Sequence, residues 1–107
     1  MGFHDVENRA WKELVPGVRV RTFWGEEMLV AHVAVDEKAI VPLHSHPHEQ
    51  GGMVISGEME FIVDGITRVV KAGESYIIPG NVEHQAIGLK NSQLFEIFCP
   101  VREEYKF

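Results

Sequence analysis

Histidines are concentrated in two short polar segments of the chain. The first segment, HSHPHEQ, contains His44, His46 and His48, and the second, PGNVEHQ, contains His84. Residues two apart in a strand lie on the same face, roughly 6–7 Å apart, so His44 and His46 can bind one cation from a single strand. Neutral imidazole is a common protein ligand for Zn, Ni, Fe and Mn. The spacing therefore predicts a metal site, and surface histidines on a polar turn are the alternative interpretation.

The residues around the first segment indicate which other side chains can reach the same point. Pro47 has no backbone N–H and disfavours the continuation of a central strand, so we expect the chain to bend directly after His46. That bend can bring Gln50 back towards the cation, whereas His84 has to arrive from a distant strand. We expect His48 to point outward or to support His46 from behind, with direct metal binding as the alternative.

A third feature is an acidic residue within the last apolar run of the sequence. In a strand, Leu94, Glu96 and Phe98 share one face, and Phe95 and Ile97 share the other. A carboxylate between two apolar residues on an inward face is costly unless it has a partner or a chemical role. Glu96 is therefore a candidate functional residue if its face is the inner one. In the alternative, Glu96 faces solvent, and Phe95 and Ile97 form the core.

Three further residues have less specific surroundings. Arg102 follows the last strand and is either a solvated tail residue or a partner for Glu96 or for a substrate carboxylate. His32 lies in an apolar strand and is interpreted as a core or pocket-wall histidine. Cys99 has no neighbouring residues typical of a nucleophile and is interpreted as buried filler.

The elements that must position these side chains are short strands. The first fifteen residues, up to Pro16-Gly17, are the only helical or irregular segment that we expect. The Asp64-Gly65 pair predicts a tight hairpin, because both positions of a type I′ turn need a positive φ. About nine strands with frequent turns predict an antiparallel sandwich or barrel. The predicted strands are 18–23, 28–35, 39–43, 52–55, 59–63, 66–70, 75–78, 82–87 and 93–98.

Composition limits the classes of protein to which the chain can belong. Its 107 residues, 45% hydrophobic and 24% charged, match one soluble domain. A formal charge of −6 leaves no basic surface for polyanions, so neither nucleic acid nor a membrane surface is expected as a partner. No apolar run approaches the ~18 residues that span a bilayer, and the first residues lack the order of a secretory signal. With a single cysteine, the expected location is the cytoplasm.

The spacing of the two histidine segments resembles the paired motifs of the cupin superfamily. The matching residues are, in order, His44-x-His46-x3-Gln50-x6-Gly57 and Gly73-x5-Pro79-x4-His84. The resemblance covers about residues 18–99 and implies an all-β, double-stranded β-helix (jelly-roll) barrel, with 1–107 as a single domain. It also implies one divalent transition metal ion (Ni, Fe, Mn or Zn) held by His44, His46, Gln50 and His84, and often a homodimer.

The chain has Gln50 where the first cupin motif usually has Glu. An amide oxygen cancels none of the charge of a divalent cation, so such a site keeps about +2 and suits a Lewis acid that binds an anionic oxygen ligand. The ligand set also differs from the two-His-one-carboxylate set that marks non-haem iron oxygenases.

A closer resemblance, to the pectin-degradation cupins, extends to the end of the last strand. Enzymes of that family ketonise 4,5-unsaturated monouronates, and an Asp and a Phe line their active site with an Arg nearby. These positions correspond to Glu96, Phe98 and Arg102, so Glu replaces the family's Asp. The resemblance implies that the metal binds the sugar acid and that Glu96 moves a proton as the ring opens. The alternatives are a cupin dioxygenase, another sugar isomerase, and a cupin that binds a small molecule without turnover.

Overall fold

Ten short β-strands account for most of the part of the chain that the computed structural model describes, residues 2–107. Two single-turn 3₁₀ helices, Val6–Asn8 and Glu103–Tyr105, flank them. The strands are β1 (Lys12–Val15), β2 (Val18–Trp24), β3 (Leu29–Val35), β4 (Ile40–His44), β5 (Glu49–Ser56), β6 (Glu58–Val63), β7 (Ile66–Lys71), β8 (Ser75–Ile78), β9 (His84–Gly88) and β10 (Ser92–Cys99). Neither helix is long or apolar enough to span a membrane.

The strands form two antiparallel sheets. One sheet has six strands in the order β1-β2-β3-β10-β5-β8, and the other has four in the order β4-β9-β6-β7. Apolar side chains from both sheets are buried together, which drives the sheets to pack face to face. The most completely buried of these residues include Val18, Val20, Leu29, Val35, Val54, Met59 and Phe98.

Strand β10 lies in the middle of the larger sheet, between β3 and β5. Its residues alternate strictly between buried and exposed along its whole length. Leu94, Glu96 and Phe98 face the interior, whereas Phe95 and Ile97 are about 40% exposed on the outer face. The inner face therefore includes a carboxylate, and the interpretation in which Glu96 faces solvent is wrong.

One turn agrees with the prediction from the sequence, and the segment before another turn does not. Asp64 and Gly65 both have positive φ, 49° and 75°, and join β6 to β7 as the predicted hairpin. The expectation of a helical or irregular segment up to Pro16-Gly17 is wrong for its last part, because β1 pairs with β2 across this turn. The side chains of Leu14 and Val15 pack against the core, and this tertiary contact holds an isolated four-residue segment in the sheet.

Candidate metal centre

Three histidines meet at one end of the barrel. His44 is the last residue of β4, His84 is the first residue of β9, and the two are paired across neighbouring strands. His46 comes from the loop between β4 and β5, so the expectation that His44 and His46 bind from a single strand is wrong: the strand ends at His44, before Pro47. One ring nitrogen of each histidine lies within 4.8 Å of the other two, so the three rings can contact a single ion.

The two histidine segments are held together by their own backbones. The N–H of Asn81 donates to the carbonyl oxygen of His46 at 2.7 Å. At Gly80, a Cβ atom would lie 2.4 Å from the carbonyl oxygen of Pro47, so only glycine permits this approach. The loop that precedes His84 therefore packs directly on the loop that follows His46, although nearly forty residues separate them in the chain.

The three imidazole rings share one hydrogen-bonding pattern. In each ring Nδ1 faces the backbone carbonyl oxygen of a residue two positions away, at 2.8 Å for His44, 3.0 Å for His46 and 2.8 Å for His84. A carbonyl only accepts, so Nδ1 carries the proton and Nε2 is left with a free lone pair. The Nε2 atom of His84 is buried and has no hydrogen-bond partner. This orphaned acceptor, with its proton fixed on the other nitrogen, is what metal-binding histidines present.

The Gln50 side chain adds a fourth acceptor at the same place. Its Oε1 lies 3.0 Å from Nε2 of His46. Burial lowers the pKa of His46 to about 4, helped by the positive charge of Arg102, so the ring is neutral near pH 7. Burial also lowers the pKa of His84. Two acceptors then face each other with no proton between them, and a cation would satisfy both.

The residues present therefore fit a divalent transition metal ion. Three imidazole nitrogens and one amide oxygen form a donor set that suits Zn, Ni, Fe or Mn. None of the four side chains, from His44, His46, Gln50 and His84, carries a formal charge when it acts as a ligand. The site would retain the full charge of the ion and favour an anionic ligand.

Glu96 lies on the cavity wall beside this cluster and is only 7% exposed. Its Oε2 accepts two hydrogen bonds, one from Nε2 of Gln50 at 2.5 Å and one from the hydroxyl of Tyr76 at 2.7 Å. Burial raises the pKa of Glu96, while these two hydrogen bonds and the charge of Arg102 oppose the rise. Burial and the neighbouring carboxylate raise the pKa of Tyr76 well above its usual value. The pKa of this carboxyl group is therefore set by the balance between burial and its hydrogen-bonded and charged neighbours.

A cavity bordered by His44, Gln50, His84 and Glu96 lies between the sheets and is otherwise lined mainly by apolar residues. An apolar lining with a few converging polar groups is typical of small-molecule sites. Arg102 borders the cavity, with its guanidinium carbon 3.8 Å from the centre of the Tyr105 ring and 5.2 Å from that of Phe98. Its side chain is only 11% exposed, so it is not a solvated tail residue. Glu104 accepts a hydrogen bond from its Nε at 2.7 Å.

Two tyrosines near Glu96 and Arg102 are absent from the sequence-based site, and one of them, Tyr105, borders the cavity. Tyr105 follows the last strand, and its ring also contacts Phe98 edge-on. Tyr76 lies on β8, where alternation alone could have placed it on the inner face with Ile78. The sequence holds no local sign that the Tyr76 hydroxyl reaches Glu96.

Three other residues considered in the sequence are not part of the histidine cluster. The hydrogen bond between His48 and His46 uses the backbone carbonyl of His48, so it does not depend on the histidine side chain. The interpretation of His32 as a core or pocket-wall residue is wrong, because it lies on the outer face of β3, where Nδ1 accepts from Arg21 at 3.1 Å and the ring packs on Trp11. Cys99 is exposed rather than buried, because the alternation of β10 places it on the outer face.

Comparisons with known proteins agree with this geometry. The family model described as "Cupin domain" matches residues 31–98. A pectin degradation protein, KdgF, of Dickeya dadantii is 29% identical over 98 residues, which are 89% of each chain. The solved structure of an RmlC-like cupin from Shewanella frigidimarina superposes with a TM-score of 0.92 at 27% identity, covering 98% of this chain and 96% of that one. The structure of KdgF from a Halomonas species superposes with a TM-score of 0.90 at 24% identity, covering 97% of each chain. The predicted jelly-roll fold is confirmed.

Proposed function

Because this chain belongs to the cupin domain family, we propose that it is a metal-dependent enzyme that opens and ketonises 4,5-unsaturated monouronates from pectin or alginate breakdown. The relative named for pectin degradation, similar over 89% of both chains, supports this substrate class. The observation that carries the proposal is the buried carboxylate of Glu96, which is hydrogen-bonded to Gln50 in the wall of a cavity that His44 and His84 also line.

The metal would be held by His44, His46, Gln50 and His84. When bound there, a divalent ion supplies a Lewis acid that polarises an oxygen of the substrate. All four ligands are neutral, so the site favours the carboxylate of a sugar acid over a neutral sugar.

Three residues of this chain would act on the bound sugar acid. Arg102 is held over Tyr105 with its guanidinium beside the cavity, where it can pair with a carboxylate. Phe98 is buried and provides an apolar surface for the sugar ring of the substrate. Glu96 transfers the proton to or from carbon and the ring oxygen as the ring opens. Its buried setting raises its pKa towards the range in which general acid–base catalysis is efficient.

A turnover assay tests this function directly. Metal-loaded protein is mixed with unsaturated galacturonate or unsaturated mannuronate, and loss of the conjugated absorbance is followed. We expect turnover of at least one of the two, and loss of both metal and turnover in His46→Ala with the barrel still folded. A fully loaded wild-type protein that is inert on both sugars would refute the proposed reaction. Oxygen consumption by an iron-loaded form would favour a dioxygenase, and ligand binding without turnover would favour a binding protein.

The outer face of the larger sheet supports a proposal about assembly. Five apolar side chains on β5, β8 and β10 are 39–67% exposed there, namely Met53, Ile55, Ile77, Phe95 and Ile97. Exposed apolar patches of this kind mark protein interaction surfaces. Two copies that each carry a formal charge of −6 approach most easily through uncharged side chains. We therefore propose that the chain forms a homodimer through this face.

A further inference from the structure

We propose that Tyr76 and Glu96 fix the Gln50 amide so that its oxygen, and not its nitrogen, faces the point shared by the three histidines. Both would then be positioning residues for a metal ligand, in addition to the proton-transfer role proposed for Glu96. The inference rests on the metal site of the proposed function, but it does not depend on which substrate is used.

The hydrogen bonds of Gln50 determine which end of the amide points where. Its Nε2 donates to Oε2 of Glu96 at 2.5 Å, and its Oε1 lies 3.0 Å from Nε2 of His46. If the amide were turned over, its oxygen would face the carboxylate oxygen of Glu96. That contact costs more than the present one between Oε1 and the neutral ring of His46, because a carboxylate is charged and because a cation relieves only the contact with His46. The amide N–H₂, which has no lone pair to offer, would then face the metal position. An acceptor at residue 96 therefore selects the orientation that binds a metal.

The same contact explains why this chain has glutamine at position 50. A glutamate there, as in the usual cupin motif, would bring two carboxylates within hydrogen-bonding distance, since the two side chains already approach to 2.5 Å. Like charges at that distance in a buried site strongly disfavour each other. Glutamine provides one ligand oxygen and one donor for Glu96. The residues at positions 50 and 96 are thus chemically coupled.

Tyr76 reaches Glu96 from two strands away. In the sheet, Gly52 on β5 is paired with Glu96 on one side and with Tyr76 on the other. A Cβ atom at Gly52 would lie 2.4 Å from both Cζ and Oη of Tyr76, so the tyrosine crosses β5 in the space left by the missing side chain. Its hydroxyl then donates to Oε2 of Glu96 at 2.7 Å, the same oxygen that Gln50 uses. Removing the hydroxyl leaves the carboxylate with one donor fewer and no change of charge.

The test uses Co²⁺ binding to purified protein, without any sugar. Wild type, Tyr76→Phe, Gln50→Met and the double variant are titrated, and both the Kd and the visible absorption of bound Co²⁺ are measured. Loss of one hydrogen bond in Tyr76→Phe should raise Kd roughly two- to tenfold and change the Co²⁺ spectrum, because the Gln50 oxygen is held less firmly. Glu96→Met, which removes the acceptor itself, should raise Kd about 10- to 100-fold. In the Gln50→Met background, Tyr76→Phe should have no further effect.

Two further variants separate positioning from general destabilisation. Gly52→Ala should reproduce the Tyr76→Phe spectrum, since the added methyl group displaces the ring. Tyr105→Phe removes a tyrosine hydroxyl that borders the cavity but donates no hydrogen bond to Glu96, and it should leave the Co²⁺ spectrum unchanged. The inference is overturned if Tyr76→Phe binds Co²⁺ with the wild-type Kd and spectrum, or if its effect persists in Gln50→Met. Because no substrate is present, failure of the turnover assay would leave this result standing.

Discussion

Lowering the pH should destabilise the metal-free protein through His46. Its pKa is 6.5 in the unfolded chain and is lowered to about 4 in the folded one, chiefly by burial. As pH falls below 6.5 the unfolded chain binds a proton that the folded protein does not. The contribution of neutral His46 to the free energy of unfolding is therefore fully present above pH 6.5. It is lost progressively as the pH falls to about 4. Each pH unit in this window costs about 1.4 kcal/mol, so the total is about 3 kcal/mol.

Urea unfolding of metal-stripped protein at several pH values between 7 and 4 measures this loss. Carboxylates also titrate near pH 4, so the informative quantity is the difference between wild type and His46→Asn. The variant should lose about 3 kcal/mol less than wild type over the window, with similar m-values at each pH. His4→Asn removes an exposed imidazole and serves as the matched control, which should follow wild type. If wild type and His46→Asn lose stability in parallel, folding does not lower the pKa of His46 and the reasoning fails.

Three further predictions concern the proposed function and assembly. Glu96→Gln keeps the shape of the side chain and an acceptor oxygen but cannot transfer a proton, so kcat should fall at least about 100-fold while saturated protein still contains one metal ion. Wild-type kcat in this variant would exclude Glu96 as the acid–base group. Arg102→Met should raise KM for the sugar acid about tenfold or more, with a smaller change in kcat, because a charge-assisted hydrogen bond to the substrate carboxylate is lost. Steady-state kinetics measures both constants, and an unaltered KM would show that Arg102 does not bind the substrate. Light scattering at micromolar concentration should give twice the chain mass for wild type and a monomer for Phe95→Lys/Ile97→Lys, and a monomeric wild type would contradict the dimer.

Local patterns in the sequence predicted much of this molecule. Alternation along Ser92–Cys99 is a property of any strand, and it correctly placed Glu96 and Phe98 on one face. The Asp64-Gly65 pair predicted its hairpin because the turn needs two positive φ values from adjacent residues. The two-residue spacing of His44 and His46, with His84 in a second motif, predicted a shared site, and the three rings do meet. Each of these inferences depends on residues that are close together in the chain or on a motif read as a whole.

Contacts between distant strands were decided only by the tertiary structure. Neither Tyr76 nor Gly52 is exceptional in its own segment, and their relation to Glu96 depends on the register of β5 with both β8 and β10. The outer position of His32 could not be read from its apolar neighbours, because β3 is covered on its outer face by Trp11 as well as on its inner face by the core. β1 was missed because four residues do not form a strand until packing of Leu14 and Val15 stabilises their pairing. The sequence thus determined which side chains can do chemistry and which face of a strand they occupy. The tertiary structure decided which partner faces each of them, because pairing across a sheet depends on the packing of the whole barrel.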